Sequence, residues 1–231
     1  MSKRTGVNAV SSLVGVLGAL LATPTLALPF SASNVNPVVV DAATDTRSIT
    51  VTAGDIRGAF DLLEALTVTL EFMKCGGLDD SLATPLPAGC PTSDPAYARE
   101  IAFDLTNPGG ATVRLVTADT YDAFGDGPTP GARITVIFDD SAGEAVGYST
   151  PSFVGGTFRP VGSLADLLGT GAVGTWTLSI GDDGIDAPLG LAGFSLDMIL
   201  RDIPEPGTLA LLGFGLSGLA IVRRCVIANM S

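Results

Sequence analysis

Apolar and polar residues alternate along much of the middle of the chain. Between Leu66 and Phe72 every second side chain is apolar, and threonine or glutamate fills the positions between them. The same two-residue period returns in six other segments, at residues 49–51, 101–105, 113–115, 134–138, 176–180 and 194–200. Because neighbouring side chains of a strand point to opposite faces, each segment predicts a strand with one apolar face and one polar, solvent-facing face.

The segments between the predicted strands are rich in turn-forming residues. Glycine, proline, asparagine and aspartate cluster at residues 107–110 and 125–131. In the first cluster, Asn107, Pro108 and Gly109 are expected to make a tight reversal, with the glycine accepting a positive φ. Residues 163–168 predict one short helix with Ser163 as its cap. Short strands without helical periods between them predict an all-β fold, either a sandwich or a barrel.

Residues 1–27 have the three parts of a secretory signal peptide. Lys3 and Arg4 precede an apolar stretch at residues 10–22, and Thr25 and Ala27 are small side chains ahead of a proline. We expect cleavage after Ala27, because signal peptidase sites have small residues at these two positions. The apolar stretch is too short for a spanning helix, so this segment is set apart from the fold.

A second apolar run, at residues 207–222, lies near the other end of the chain and is followed by Arg223 and Arg224. At about 1.5 Å rise per residue it spans about 24 Å, slightly less than the roughly 30 Å hydrocarbon core of a bilayer. It predicts a short transmembrane helix, and a buried core helix is the alternative. By the positive-inside rule the arginine pair stays cytoplasmic, which leaves residues 28–203 outside the inner membrane.

A glutamate flanked by two prolines, Pro204-Glu205-Pro206, stands directly before this predicted helix. Ile203 precedes the first proline. With the apolar run and the arginine pair, this segment resembles the PEP-CTERM sorting domain of Gram-negative bacteria, whose members carry a Val-Pro-Glu-Pro-like tetrad. The resemblance assigns residues 204–231 to a sorting tail. It implies transient insertion in the inner membrane and processing by an exosortase-type protease. The motif residues that it identifies are Pro204, Glu205, Pro206, Arg223 and Arg224.

The exported segment, residues 28–203, is strongly acidic. It contains eight lysines and arginines and 23 of the 24 aspartates and glutamates of the chain, which gives a formal charge of −15. This excess repels nucleic acid and anionic membrane surfaces, so nucleic acid is not expected as a partner. About 176 residues form one domain that is large enough to bury a substantial core.

The chain has three cysteines, of which Cys225 lies in the tail. Cys75 and Cys90 remain in the exported segment, where a lone pair predicts a disulfide. Closing a loop of about fifteen residues stabilises the fold by roughly 3 kcal/mol in the chain-entropy model. The alternative is a reactive or metal-binding use of the two thiols, for which no histidine or further cysteine is available.

Two further motifs lie within residues 47–201. Residues 103–113 read as a strand, an Asn-Pro-Gly turn and a strand, and residues 174–180 begin with Gly-Thr-Trp and lead through an acidic loop to the strand at 191–196. Both are similar to motifs of the P domain of proprotein convertases. The resemblance implies a jelly-roll-like antiparallel β-sandwich. Trp176 is expected in its core, and an exposed sugar-stacking role is the alternative.

The absence of histidine excludes Ser-His-Asp and Cys-His catalysis and histidine-bound zinc. Ser149 lacks the second glycine of a nucleophile elbow and is expected in a turn. Acidic residues crowd two loops, which are either solvated turns or calcium sites, because calcium takes about six to eight oxygen ligands. P domains bind calcium in such loops, so calcium is the one cofactor considered. The candidate ligands are Asp182, Asp183 and Asp186 in one loop and Asp119, Asp122 and Asp126 in the other.

These observations favour a non-catalytic protein of the cell surface or extracellular matrix. The expected route is export through the inner membrane of a Gram-negative bacterium to the periplasm, the surface or the matrix. The PEP-CTERM resemblance implies a link to exopolysaccharide and biofilm, with exopolysaccharide or other surface proteins as partners. One alternative is a carbohydrate- or protein-binding adhesin whose specificity lies in the loops. The other is a hydrolase that uses two loop carboxylates.

Overall fold

The computed structural model describes residues 27–56, 60–76, 82, 86, 90, 98–121, 132–147, 154–185 and 187–202. Within these residues the chain forms ten strands, two short 3-10 turns and no α-helix. The strands are β1 (Ala27–Asn34), β2 (Val38–Val40), β3 (Ala43–Val51), β4 (Phe60–Lys74), β5 (Ile101–Thr106), β6 (Thr112–Val116), β7 (Ile134–Phe138), β8 (Gly156–Phe158), β9 (Gly174–Asp182) and β10 (Leu189–Asp202). All seven strands predicted from the alternation are present.

The strands form two sheets packed face to face, which confirms the all-β sandwich. The first sheet has the order β1-β10-β4-β7-β8, and β2 pairs with the beginning of β10 beside β1. The second sheet has the order β3-β9-β5-β6. Every pair of neighbouring strands is antiparallel except β7 and β8, which run parallel. The prediction of an antiparallel sandwich is therefore correct for all of the described pairs but this one.

The core lies between the inward faces of β4 and β9. Val68, Leu70 and Phe72 of β4 are fully buried, and so are Leu178 and Ile180 of β9. Each large apolar side chain buried in this way contributes about 1.5–3 kcal/mol relative to an exposed one. The two-residue period thus places apolar side chains inside and the threonines of both strands on the outer faces.

Three strands were not predicted, and each lacks a clear alternating signal or lies at an edge. β2 is a run of three valines, and β8 has only three residues. β1 begins at Ala27, where the predicted signal peptide ends, and contains Pro29. Because β1 is the edge strand of its sheet, the missing N–H of the proline is tolerated there.

Two of the predicted local features are present with small differences. The short helix is a 3-10 turn at Leu164–Leu167, and the Ser163 hydroxyl accepts a hydrogen bond from Ala165 N as the expected cap. The reversal after β5 also forms, with Gly110 N donating to Asn107 O at 3.0 Å. Its positive φ lies at Gly110, at 86°, instead of at Gly109 as predicted.

The beginning of β1 and the end of β10 lie at the same end of the first sheet. β1 and β10 are antiparallel, and Ala27 stands opposite Arg201 in their register. β4 runs antiparallel to β10, so Lys74 stands opposite Leu189 at the other end of the sheet. No helix among the described residues is long and apolar enough to cross a membrane. The helix predicted at residues 207–222 lies outside them.

Candidate functional site

The inward faces of the two central strands each end in a charged residue. Lys74 follows Phe72 in the inward stripe of β4, and Asp182 follows Ile180 in that of β9. Because each charge lies two positions after a core residue, the strand period carries it into the sandwich. Both side chains are fully buried, with 0% of either exposed to solvent. A lysine and an aspartate from opposite sheets therefore meet at one end of the core.

The Lys74 ammonium is in contact with two carboxylates and a backbone carbonyl. Its Nζ donates to Asp182 Oδ1 at 2.7 Å, to Asp182 Oδ2 at 2.8 Å and to the carbonyl oxygen of Ala187. Glu100 Oε2 lies 2.9 Å from the same nitrogen. This oxygen is buried, and apart from this ion-pair contact it has no hydrogen-bond partner among the described residues. The cluster thus holds one cation and two acids.

Burial raises the pKa of Asp182 to about 6, because a desolvated carboxylate favours its neutral form. The hydrogen bond from Lys74 and its positive charge lower that pKa, and the negative charge of Glu100 raises it. The cost of burial therefore outweighs the attraction of the lysine. The Asp182 carboxyl group therefore takes up a proton more readily than the carboxyl group of a surface aspartate.

The loop after β9 closes over the cluster. Gly184 N lies 3.4 Å from Asp182 Oδ1, and Asp183 N donates to Glu100 O at 3.2 Å. A Cβ on Gly184 would lie 2.0 Å from the carboxylate carbon of Glu100. A glycine at this position is therefore what leaves room for the Glu100 side chain next to Lys74.

Lys74 is unusual among the cations of this chain. The chain contains only two lysines, Lys3 and Lys74, and every other cation within the described residues is an arginine. The arginines that form ion pairs do so at the surface, as in Arg114 with Asp104 at 3.0 Å. Exposed pairs of this type contribute little to stability, about 0–1 kcal/mol. Among the described residues, the buried position is therefore the one with a lysine, the type of cation that can lose its proton and act as a nucleophile.

The candidate calcium ligands are not brought together as a complete set. Both oxygens of Asp182 are engaged by Lys74, Asp183 is exposed, and Asp186 lies outside the described residues. In the second loop, Asp119 is described, whereas Asp122 and Asp126 are not. No group of three potential ligands forms a metal site within the part of the chain that the structure describes. Calcium binding stays a prediction for both loops.

The predicted disulfide between Cys75 and Cys90 is present, with 5.6 Å between the two Cα atoms. Cys75 and Met73 point to the outer side of the first sheet, where Leu82, Leu86 and Cys90 pack against them. The disulfide therefore holds part of its loop over an apolar spot on the outer face. Lys74, between these two residues, points the opposite way into the core.

Trp176 has the core role that the sequence predicts. It is fully buried, and its Nε1 donates to Ala172 O at 3.0 Å. A stacking role for this side chain on a sugar is therefore wrong. The large hydrophobic side chains that are exposed within the described residues are aliphatic: Val35, Val161, Val173 and Ile185.

A shallow cleft of about 430 Å³ lies on the outer face of the first sheet. Part of its lining consists of hydroxyl groups on four neighbouring strands, from Ser33, Thr69, Thr135 and Ser195. A guanidinium and a carboxylate also line it, and Arg133 Nη1 donates to Glu71 Oε1 at 3.2 Å. The cleft thus combines a partly apolar lining with several hydroxyls and one ion pair, and it is locally neutral in an otherwise acidic domain.

The residues of the sorting motif, Pro204, Glu205, Pro206, Arg223 and Arg224, lie outside the described residues. β10 ends at Asp202, two residues before Pro204. Residues 202–224 match the PEP-CTERM protein-sorting motif. The chain therefore carries a signal for export to the envelope or surface of a Gram-negative bacterium and for processing by an exosortase-type enzyme.

The chain is also similar to parts of larger proteins of known structure. A serine protease of Aeromonas sobria in complex with its chaperone shares 14% identity with a TM-score of 0.37, over 78% of this chain and 28% of that one. The structure named PfGH50B shares 11% identity with a TM-score of 0.32, over 78% of this chain and 23% of that one. The chain thus spans less than a third of either protein. A sequence comparison with curated proteins finds no match.

Sequence reasoning did not identify Lys74 and Glu100 as site residues. A signal was present for Lys74, because the inward stripe of β4 ends in a cation and that of β9 ends in an acid. No comparable signal marks Glu100, which lies in a 3-10 turn (Ala98–Glu100) immediately before β5. Only the folded structure shows that its carboxylate turns toward the lysine.

Proposed function

We propose that this chain is a non-catalytic component of the bacterial surface or extracellular matrix, linked to exopolysaccharide and biofilm. The match of residues 202–224 to a sorting motif is the observation that carries this proposal. In this proposal the β-sandwich acts as a P-domain-like interaction module, as the motifs at residues 103–113 and 174–196 predict. Its two disulfide-linked cysteines suit the oxidising space outside the inner membrane.

The positions of the first and last strands of the sandwich support delivery from a membrane. Ala27, at the predicted cleavage site, and Arg201, three residues before Pro204, stand opposite each other at one end of the first sheet. A precursor held by both its signal peptide and its tail therefore keeps this end toward the membrane. The opposite end, with Lys74 and the disulfide, then faces away from it.

The test is replacement of the tail motif in a host that contains an exosortase. With Pro204, Glu205 and Pro206 all changed to alanine, we expect the uncut chain to accumulate in the membrane fraction, because the protease loses its recognition element. The unchanged protein should be recovered without residues 207–222. Mass spectrometry of the C-terminal peptide distinguishes the two forms.

Ile203→Val is the matched control for this experiment, since it leaves the Pro-Glu-Pro motif intact and should be processed normally. Equal processing of the triple variant, or processing in a host that has no exosortase, would contradict the proposed sorting route.

The cleft on the first sheet favours a second candidate function, binding of a carbohydrate chain. Its volume of about 430 Å³ lies within the range of small-ligand sites. Hydroxyls from four strands and one neutral ion pair suit an uncharged, polyhydroxylated ligand. Phe194 is the aromatic residue among the described lining residues, and it is buried, so it offers no open ring face on which a sugar could stack.

Removing two of these hydroxyls should weaken binding to the exopolysaccharide of the producing bacterium. For Thr69→Val with Thr135→Val we expect an affinity about tenfold lower, since each lost hydrogen bond costs about 0.5–1.5 kcal/mol. Isothermal calorimetry with the purified polysaccharide measures the change. The pair Thr50→Val with Thr175→Val removes two hydroxyls from the other sheet and should leave affinity unchanged. If both double variants lose affinity equally, or if the unchanged protein does not bind the polysaccharide, the cleft is excluded as the binding site.

A further inference from the structure

The buried cluster brings an amine and a carboxyl group into contact where neither can reach solvent. Lys74 Nζ lies 2.7 Å and 2.8 Å from the two oxygens of Asp182. A nitrogen nearly equidistant from both oxygens is about 3 Å from the carboxyl carbon, close to the roughly 3–3.5 Å of a near-attack arrangement. The two groups come from strands of different sheets and are 108 residues apart in sequence.

We propose that Lys74 and Asp182 join in an amide bond between Nζ and Cγ, with Glu100 as the group that carries the proton. The cross-link would connect β4 with β9 and so tie the two sheets together. It requires only the folded domain and is independent of the sorting tail. Lysine is suited to this role and arginine is not, because the guanidinium stays protonated in proteins.

The reaction is a condensation and needs no oxidant, reductant or additional reactant. One proton passes from the ammonium to Asp182 Oδ2, which leaves a neutral amine and a carboxylic acid. The lone pair of Nζ then forms the bond to Cγ. Glu100 Oε2 accepts a second proton from the nitrogen and returns it to Oδ2, which leaves with the electron pair of the C–O bond as water. The third proton stays on the amide nitrogen, and Glu100 ends as the carboxylate that it was at the start.

Each contact of the cluster has a place in this reaction. Glu100 Oε2 is 2.9 Å from Nζ and is otherwise without a hydrogen bond among the described residues, so it is free to take up a proton. Gly184 N faces Asp182 Oδ1, the oxygen that stays in the amide, and polarises the carbonyl group. Ala187 O, which already accepts from Nζ, can accept the N–H that remains on the amide.

A buried environment also favours the amide as the product. An ion pair inside a protein pays a large desolvation cost that the attraction of its charges offsets only in part. An amide replaces two buried charges with one neutral group whose N–H and C=O both have partners here. The water would be released beneath the loop after β9, in which Asp183 and Ile185 are exposed to solvent.

Intact-mass measurement of the purified chain, after reduction of the disulfide, tests the proposal. We expect a mass lower than that of the sequence by one water molecule. Trypsin should then fail to cut after Lys74, and residues 58–99 should remain joined to the peptide that contains Asp182. A chain at its full mass, from which trypsin releases residues 58–74, would overturn the proposal and leave an ion pair.

Two variants test the assignment of the proton carrier. Glu100→Gln keeps the shape of the side chain but cannot take up the proton, so cross-linking should be slower by about 100-fold or more. Gly184→Ala leaves every charge in place but displaces the Glu100 carboxylate, and it should also delay the loss of water. Glu64→Gln, an exposed glutamate on the same strand as Lys74, is the matched control and should cross-link completely. Complete cross-linking in Glu100→Gln would overturn the role assigned to Glu100.

Discussion

Replacing Lys74 with methionine is expected to lower the free energy of unfolding at neutral pH by about 3–5 kcal/mol. The variant keeps a side chain of similar length but leaves the carboxylates of Asp182 and Glu100 buried together without a cation. The loss is expected whether the wild-type pair is ionic or covalent, because in either case the partner of a fully buried acid is removed. Urea denaturation followed by circular dichroism measures the change.

The pH dependence of this variant has a defined sign. Without Lys74, the contributions that lower the pKa of Asp182 are lost, whereas burial and the charge of Glu100 still raise it. The folded state then binds a proton that the unfolded state releases above about pH 4, so stability falls as pH rises from about 4 to beyond 6. The variant should therefore be closest to the wild type at acid pH.

The double variant Lys74→Met with Asp182→Leu is the control for both effects. It fills the site with apolar side chains and removes the buried acid of β9, so it should regain most of the lost stability. Its stability should also show a weaker dependence on pH than that of Lys74→Met. If the single and the double variant are equally unstable, the loss arises from packing around Lys74 and not from an unpaired charge.

Trp176→Ala is expected to have an effect of similar size, about 3–5 kcal/mol, because it opens a cavity in the centre of the sandwich. The side chain is fully buried and is the largest in the core. At about 2–4 °C per kcal/mol for a domain of this size, the melting temperature should fall by about 6–20 °C. Differential scanning calorimetry checks the prediction.

Trp176→Phe separates packing from hydrogen bonding at this position. It keeps an aromatic ring in the core but leaves the carbonyl of Ala172 without the indole N–H that now reaches it at 3.0 Å. The loss should be smaller than for alanine and still measurable, since an unsatisfied buried acceptor costs about 1–3 kcal/mol. A change within experimental error for Trp176→Ala would mean that the tryptophan is not part of the core.

The sequence was informative wherever a single segment carried the signal. The alternation from Leu66 to Phe72 predicted both the strand and its buried face. The lone pair of cysteines predicted the disulfide, and the pattern around residues 203–224 predicted the sorting motif. Such signals are local because side-chain direction along a strand depends only on the backbone period. Where the pattern was short or not alternating, as in β2 and β8, the prediction failed.

The folded structure alone decided which segments lie opposite each other. The two-residue period places Lys74 and Asp182 on inward faces, but it does not show that β4 and β9 end at the same point of the sandwich. Nor does it show that Glu100 turns toward them from the start of β5. These contacts join residues far apart in the chain, and they depend on how complete sheets pair and pack. Local chemistry thus determined the seven alternating strands and their faces, whereas the meeting of one lysine with two acids is a property of the tertiary fold.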